Sequence, residues 1–225
     1  MKLTYWGHSC FLVETASHRL VIDPFLTGAA PVKAGDVACD YILLSHGHDD
    51  HLGSALEISR RTGATILGNF ELTEYLGAKG AKVDSLNPGG AIRTPFGRVK
   101  LTLAHHSSSI MDAQGQPIYL GTPCGLLIEA DGQRLYHAGD TALFLDMQLI
   151  GRGGLDAALL PIGDRFTMGP DDAVEALDLL KPKVAVPMHY NTWPPIAQDP
   201  AAFARAAAAR GHAVKVLAPG QSLAL

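Results

Sequence analysis

The stretch "SHGHDDHLGS" places His46, His48, Asp50 and His51 in the pattern H-x-H-x-D-H. Imidazole and carboxylate are the side chains that suit zinc, iron or manganese. Residues two apart in an irregular loop can turn together toward one ion. Asp50 and His51, further along, can face a second ion beside it. A solvated histidine-rich loop would carry the same letters. Here the cluster follows the apolar run "YILL" and precedes a helical pattern, where loops are held rigidly. Four donors cannot complete two metal shells. Three other places offer more: "LAHHSSS" with His105 and His106, "YHAGDT" with His137 and Asp140, and "VPMHYNTW" with His189. Each lies just past an apolar run that reads as a strand.

The chemistry such a set supports is hydrolysis. Two divalent ions roughly 3.5–4 Å apart can share a hydroxide, lower its pKa toward neutrality and polarise the atom it attacks. No serine or cysteine nucleophile is then needed, and a G-x-S-x-G elbow is absent from the chain. The expected reaction is water attack on a small ester, lactone or phosphoester. Asp50 could relay a proton as well as ligate. His8, in "WGHSCF", or His137 could instead be the general acid, and the sequence leaves the choice open. His8 reads equally well as a neutral core histidine. Arg165 and Asn191 lie close to the candidate loops and are the substrate-binding candidates. The planar fork of an arginine suits a carboxylate or phosphate, although an ordinary surface arginine fits as well. The bulky "NTWPPI" suggests an apolar wall, with Trp193 as a lid or an interface residue.

These residues need a scaffold that brings distant loops to one edge. Apolar runs bounded by turn residues predict strands at Leu3–Tyr5, Cys10–Glu14, Arg19–Asp23, Tyr41–Ser45, Thr65–Gly68, Val99–Ala104, Gly125–Ala130, Gln133–His137, Ala157–Pro161, Val184–Pro187 and Val214–Val216. Helices are predicted at Gly53–Thr62, Phe70–Lys79, Pro170–Leu180 and Pro200–Arg210. The last has Asp199 as N-cap, Pro200 at its first position and Gly211 beyond its end. "RLVIDP" followed by "CDYILLSHGHDDHLGSALEI" runs like "RLYHAGD" followed by "LDAALLPIGDRFTMGPDDAVEAL". Two such halves would stack sheet on sheet with helices outside, giving a four-layer αββα sandwich of the α/β class. The chain of 225 residues then forms one domain, residues 1–225, made of two similar halves.

Composition narrows the function classes. A net charge of −4 argues against a nucleic-acid footprint. No apolar run spans a bilayer, and the N-terminus lacks the apolar core of a signal peptide. Cys10, Cys39 and Cys124 are odd in number and far apart, which fits a reducing cytoplasm.

The combination "SHGHDDH", "HHSS", "HAGDT" and "PMHYNTWPPI" resembles the metallo-β-lactamase superfamily over essentially the whole chain. With "GHSCF" and "PIGDRFTMGPDDA" it looks most like a small family of metal-dependent hydrolases similar to L-ascorbate-6-phosphate lactonase. The resemblance implies two adjacent divalent ions, zinc or manganese, as cofactors. His46, His48 and His106 would bind one; Asp50, His51 and His189 would bind the other; Asp140 would bridge both. His106 is preferred to His105 because the family places the ligand directly before Ser, as in His106-Ser107, and adjacent strand residues face opposite ways. His137 would orient a ligand from behind. Arg165 stands where the family often has Asn, which opens a preference for anions particular to this chain. The expected partners are a small-molecule substrate, anionic if Arg165 takes part, and further copies of the chain in a homo-oligomer; neither nucleic acid nor membrane is expected. The alternatives are a phosphodiesterase or nuclease of the same superfamily and a non-catalytic metal-binding protein.

Overall fold

The computed structural model describes every residue from Met1 to Leu225 except Thr27. The first sheet-forming run contains β1 (Lys2–Gly7), β2 (Cys10–Glu14), β3 (Arg19–Ile22), β4 (Tyr41–Leu43), β5 (Thr65–Asn69) and β6 (Lys82–Leu86). Then come β7 (Ala91–Thr94), β8 (Gly97–Leu103), a separate two-stranded hairpin of β9 (Ser109–Met111) and β10 (Pro117–Tyr119), then β11 (Cys124–Ala130), β12 (Gln133–His137), β13 (Leu155–Pro161), β14 (Pro182–Met188) and β15 (Ser222–Ala224). The helices are α1 (Asp49–Leu52), α2 (Ala55–Thr62), α3 (Phe70–Gly77), α4 (Met147–Gly151), α5 (Pro170–Leu180) and α6 (Pro200–Ala209). Among the described residues no helix is long and apolar enough to cross a membrane.

One sheet has the order β15-β1-β2-β3-β4-β5-β6 and the other β14-β13-β12-β11-β8-β7. Both are built alike: an antiparallel meander (β1-β2-β3; β8-β11-β12) is extended by parallel strands (β4 to β6; β13 and β14). Period-two alternation sorts the side chains into layers. Phe11, Val13, Leu20, Ile22 and Leu43 turn inward onto Val99, Leu101, Leu126, Ile128 and Leu135 of the second sheet. Leu12, Val21, Ile42 and Leu44 turn outward onto Ile58 of α2 and Leu72 and Leu76 of α3. On the far side, Leu177 of α5 and Phe203 of α6 join the core that contains Ala158 and Leu160 of β13. The result is the expected four layers, α2/α3, sheet, sheet, α5/α6.

The segments departing from expectation are short or polar. Val214–Val216 forms no strand; a single bridge joins Val214 to Ala185. The helix expected from Gly53 starts earlier, as α1, and is broken at Gly53, whose φ of 44° and close approach to the Pro24 carbonyl leave no room for a Cβ. The additional strands β6, β7, β9, β10 and β15 are edge or hairpin strands lacking the continuous apolar run that marks a buried strand. Cys10, Cys39 and Cys124 are free and buried.

Candidate metal centre

Four strand ends meet at one rim. The loop after β4 and α1 carry His46, His48, Asp50 and His51; the loop after β8 carries His106; the turn after β12 carries Asp140; and His189 directly follows β14. The first sheet supplies the histidine loop, and the second supplies the other three. His46, His51 and His189 are almost wholly buried, as is Asp140 at 3% exposure, so their polar atoms must be satisfied from within.

The donor atoms converge in three overlapping groups, each within 4.8 Å: His46, His48 and His106; His46, His51 and Asp140; and His8, Asp50, His51 and His189. Asp140 lies centrally. Its Oδ1 is 3.2 Å from His51 Nε2, and its Oδ2 is 3.0 Å from His189 Nε2 and 3.6 Å from His106 Nε2. Close as they are, His51 Nε2, His189 Nε2 and Asp140 Oδ1 make no aligned hydrogen bond. Buried, unpaired atoms aimed at a common space are what a cation would satisfy, and the donor set is that of zinc, iron or manganese. The residues present therefore fit divalent metal.

The tautomers are set from behind. Asp23, fully buried at the end of β3, accepts from Ser45 N at 2.8 Å, from Ser45 Oγ at 2.6 Å and from His51 Nδ1 at 2.8 Å. With its Nδ1 proton held by Asp23, His51 turns Nε2 toward Asp140, so that the proton a metal would displace is the one on Nε2. Ser45 Oγ donates its one hydrogen to Asp23, so at 3.0 Å it accepts from His46 Nδ1. That leaves His46 Nε2 bare, 3.0 Å from His48 Nδ1. Sequence reasoning had Asp23 only as a strand end; its signal was the Asp in "VIDP", matched by the Asp in "HAGD" of the second half.

The protonation pattern follows. Burial pushes His46, His48 and His106 below the usual histidine range. Burial also works to lower His51 and His189, but the carboxylates overcome it: His51 is held well above the usual range by Asp140 and Asp23, and His189 is raised to about 9 by Asp140 and Asp50. For Asp140, burial opposes ionisation but His51 and His189 hold the carboxyl well below the usual range. Asp50 behaves likewise: burial raises it, and His189, His8 and His51 bring it far down.

The remaining candidates are placed as follows. Burial lowers His8 to about 4, so its ring is neutral at pH 7. A carboxylate only accepts, so His8 Nε2 donates to Asp50 Oδ2 at 3.1 Å, and Nδ1 accepts from Thr192 Oγ1 at 2.7 Å. Its backbone carbonyl accepts from His189 N at 2.8 Å, and both residues adopt left-handed backbone, with φ of 53° and 54°. Strain at two non-glycine residues is characteristic of sites held in place by their surroundings. His105 is exposed and packs on Phe144 at 4.8 Å between centroids, whereas His106 joins the donors.

Two expectations require correction. His137 is fully buried; its Nε2 donates to Ser9 O at 2.9 Å and its Nδ1 accepts from Gly139 N at 3.1 Å. Both ring nitrogens are engaged by backbone, so it holds the turn that delivers Asp140 and offers no proton to a substrate. Arg165 is exposed, with its guanidinium over the Phe166 ring at 5.6 Å, and it lines neither cavity beside the donors. The anion-holding role expected of it is not built. Asn191 does line the cavity on the His8 side, with its Oδ1 accepting from Gln198 N at 2.8 Å.

Comparison with known proteins identifies the family. Residues 2–189 match the model of the beta-lactamase superfamily domain. A "UPF0173 metal-dependent hydrolase" of Opitutus terrae is 50% identical over 225 residues, covering 99% of each chain. Another, from Pelotomaculum thermopropionicum, is 50% identical over 229 residues and 100% of both chains. Among solved structures, Igni18, a metallo hydrolase from Ignicoccus hospitalis, superposes with a TM-score of 0.90 at 39% identity, covering 99% of this chain and 97% of that one. With its four-layer fold, its converging donors and relatives half identical over their whole length, the chain belongs to the metallo-β-lactamase superfamily, within the family of metal-dependent hydrolases that those relatives form.

Proposed function

We propose that the chain is a dinuclear metal-dependent hydrolase in which water attacks a small ester, lactone or phosphoester. The observation that carries this reading is the central position of Asp140, whose carboxylate lies within 3.6 Å of ring nitrogens from both proposed ligand sets, His106 of one and His51 and His189 of the other. His46, His48 and His106 would hold one divalent ion, Asp50, His51 and His189 the other, and Asp140 would serve both. Bound zinc or manganese would lower the pKa of water toward neutrality and polarise the group under attack.

The protein's part is orientation and proton traffic. Asp23 and Ser45 hold the Nδ1 protons of His51 and His46, which turns Nε2 of each toward a metal. His8 holds Asp50 Oδ2 with its Nε2 proton, so that Asp50 can accept a proton from water and pass it to a leaving group without swinging away. Thr192 fixes the His8 tautomer in turn. Gly139 makes the approach of Asp140 possible: its φ is 63°, and a Cβ there would meet the Cys124 carbonyl at 2.7 Å and Ser45 Cβ at 2.9 Å.

The test is metal analysis coupled to a panel of lactones, carboxylic esters, thioesters and phosphodiesters. Two equivalents of metal per chain and turnover that vanishes on chelation and returns on reloading are expected. A single equivalent at full activity, or turnover that survives complete removal of metal, would overturn the reading.

A further inference from the structure

Two cavities flank the donors. One, of about 760 Å³, is lined by His106 and by hydroxyls including Ser107, Ser109 and Thr122. The other, of about 610 Å³, reaches the site through His8 and is walled by Tyr5, Phe25, Tyr190, Trp193 and Leu217. Among the described residues, neither is lined by any Lys, Arg, Asp or Glu. The second is built around His8 in a specific way. The His8 ring packs on Trp193 at 5.0 Å and on Phe25 at 5.4 Å, while its other side meets His189 at 4.2 Å. One ring thus separates an aromatic wall from the candidate metal ligands. Volume of this order holds a phenyl-sized or branched-alkyl group, and such pockets recognise shape and apolar surface with few polar contacts. An anionic group seated there would lose its hydration with no cation to replace it, which is costly.

We propose that the substrate is an uncharged ester or lactone whose aromatic or branched-alkyl group occupies the cavity behind His8 and Trp193. This rests on the hydrolytic reading of the centre, and it replaces the anionic substrate that Arg165 suggested. The apolar group sits against the wall that Phe25 and Trp193 form together, their rings edge to face at 6.1 Å between centroids; the uncharged polar end points to the hydroxyl-lined cavity.

Binding can be measured apart from turnover. The chain has two tryptophans; Trp6 is buried in the outer core and Trp193 is in the cavity wall. Benzylacetone, which cannot be hydrolysed, is titrated against the full chain, metal-loaded and metal-stripped, following tryptophan fluorescence and, independently, equilibrium dialysis. Hydrocinnamate has the same ring and spacer with a carboxylate in place of the ketone. The expected result is saturable benzylacetone binding that changes less than about twofold between the two metal states, with hydrocinnamate at least roughly tenfold weaker in the metal-stripped protein, since its carboxylate loses hydration there with no metal ion to take it. Phe25→Ala should weaken benzylacetone by roughly tenfold. Absence of saturable benzylacetone binding, or hydrocinnamate binding as tightly in the metal-stripped protein, overturns the proposal. If benzylacetone binds as expected but methyl hydrocinnamate is not hydrolysed by the metal-loaded chain, the hydrolytic reading fails and the cavity assignment stands.

Discussion

Replacing Asp23 by asparagine tests the site at the residue that sets its tautomers. The backbone there has a φ of 42°, a conformation asparagine tolerates better than most residues, so the change isolates charge and hydrogen bonding. Asp23 accepts three hydrogen bonds, two from Ser45 and one from His51. Asparagine cannot reproduce them. With its oxygen toward His51 and Ser45 Oγ, its NH₂ confronts the Ser45 N–H, donor against donor. With the amide flipped, His51 must accept at Nδ1, and its proton moves to Nε2, where a metal needs a lone pair. Loss of one hydrogen bond to a charged acceptor costs about 1.5–3 kcal/mol. In a protein of this size each kcal/mol lowers the melting temperature by roughly 2–4 °C. Loss of an outer carboxylate behind a metal-ligating histidine costs about 10–100-fold in metal affinity. Asp23→Asn should therefore melt several degrees lower and lose affinity chiefly for the ion that His51 would hold. Chelator competition alongside thermal melts measures both. A lower melting temperature with unchanged affinity at both sites would refute the tautomer argument and reduce Asp23 to a structural residue.

His106→Ala should lose metal and turnover together, while His105→Ala, outside the donor groups, should keep both within about twofold of the parent, on the scale of an ordinary surface change; the reverse pattern in paired metal and activity assays would exchange their roles. Asp140→Asn should weaken at least one ion by roughly tenfold or more and lower turnover further than metal content; unchanged affinity and turnover would show that Asp140 bridges nothing. The metal-free protein should lose stability as pH rises from about 6.5 through about 9. His189 is raised to about 9 from 6.5, so its contribution is complete below the lower value and gone above the higher. The metal-loaded protein should lack this slope, because the His189 lone pair is committed to the ion; melts between pH 6 and pH 10 with identical slopes in the two states would contradict the assignment.

The layered architecture was legible because both halves carry short continuous apolar runs bounded by turn residues and then switch to helical spacing. Leu12 and Val13, neighbours in one of those runs, face opposite layers. The edge strands were not legible: "KVDSL" and "AIRT" expose as much as they bury, so nothing in their pattern separates them from loop. For the site, residue type and position past a strand pointed to the loops that carry His46, His48, Asp50, His51, His105, His106, His137, Asp140 and His189, and the family resemblance chose seven of these as ligands. What the sequence could not convey was which polar groups face one another. His137 and His8 look alike on paper, each a histidine near a candidate loop. In the structure one has both nitrogens on backbone and the other points a proton at Asp50. Arg165 stayed open between an anion holder and a surface arginine for the same reason, since its distance along the chain from "PIGD" says nothing of the direction in which it leaves the loop.

The last strand has an implication for how this protein could change. β15 pairs with β1, and the hydrogen bonds Tyr5 N to Gln221 O and Gly220 N to Tyr5 O draw the end of the chain against its beginning. The wall segments Tyr190–Trp193 and Val216–Pro219 fall after His189, where the superfamily domain's match ends. Every candidate ligand is therefore encoded upstream of two wall segments of the cavity. Substitutions at wall positions 190, 191, 193 and 216–219, with Thr192 kept because it holds His8, can reshape the chamber while the donors themselves stay unchanged. Exchanging those wall residues between relatives should transplant substrate preference while the reaction stays the same.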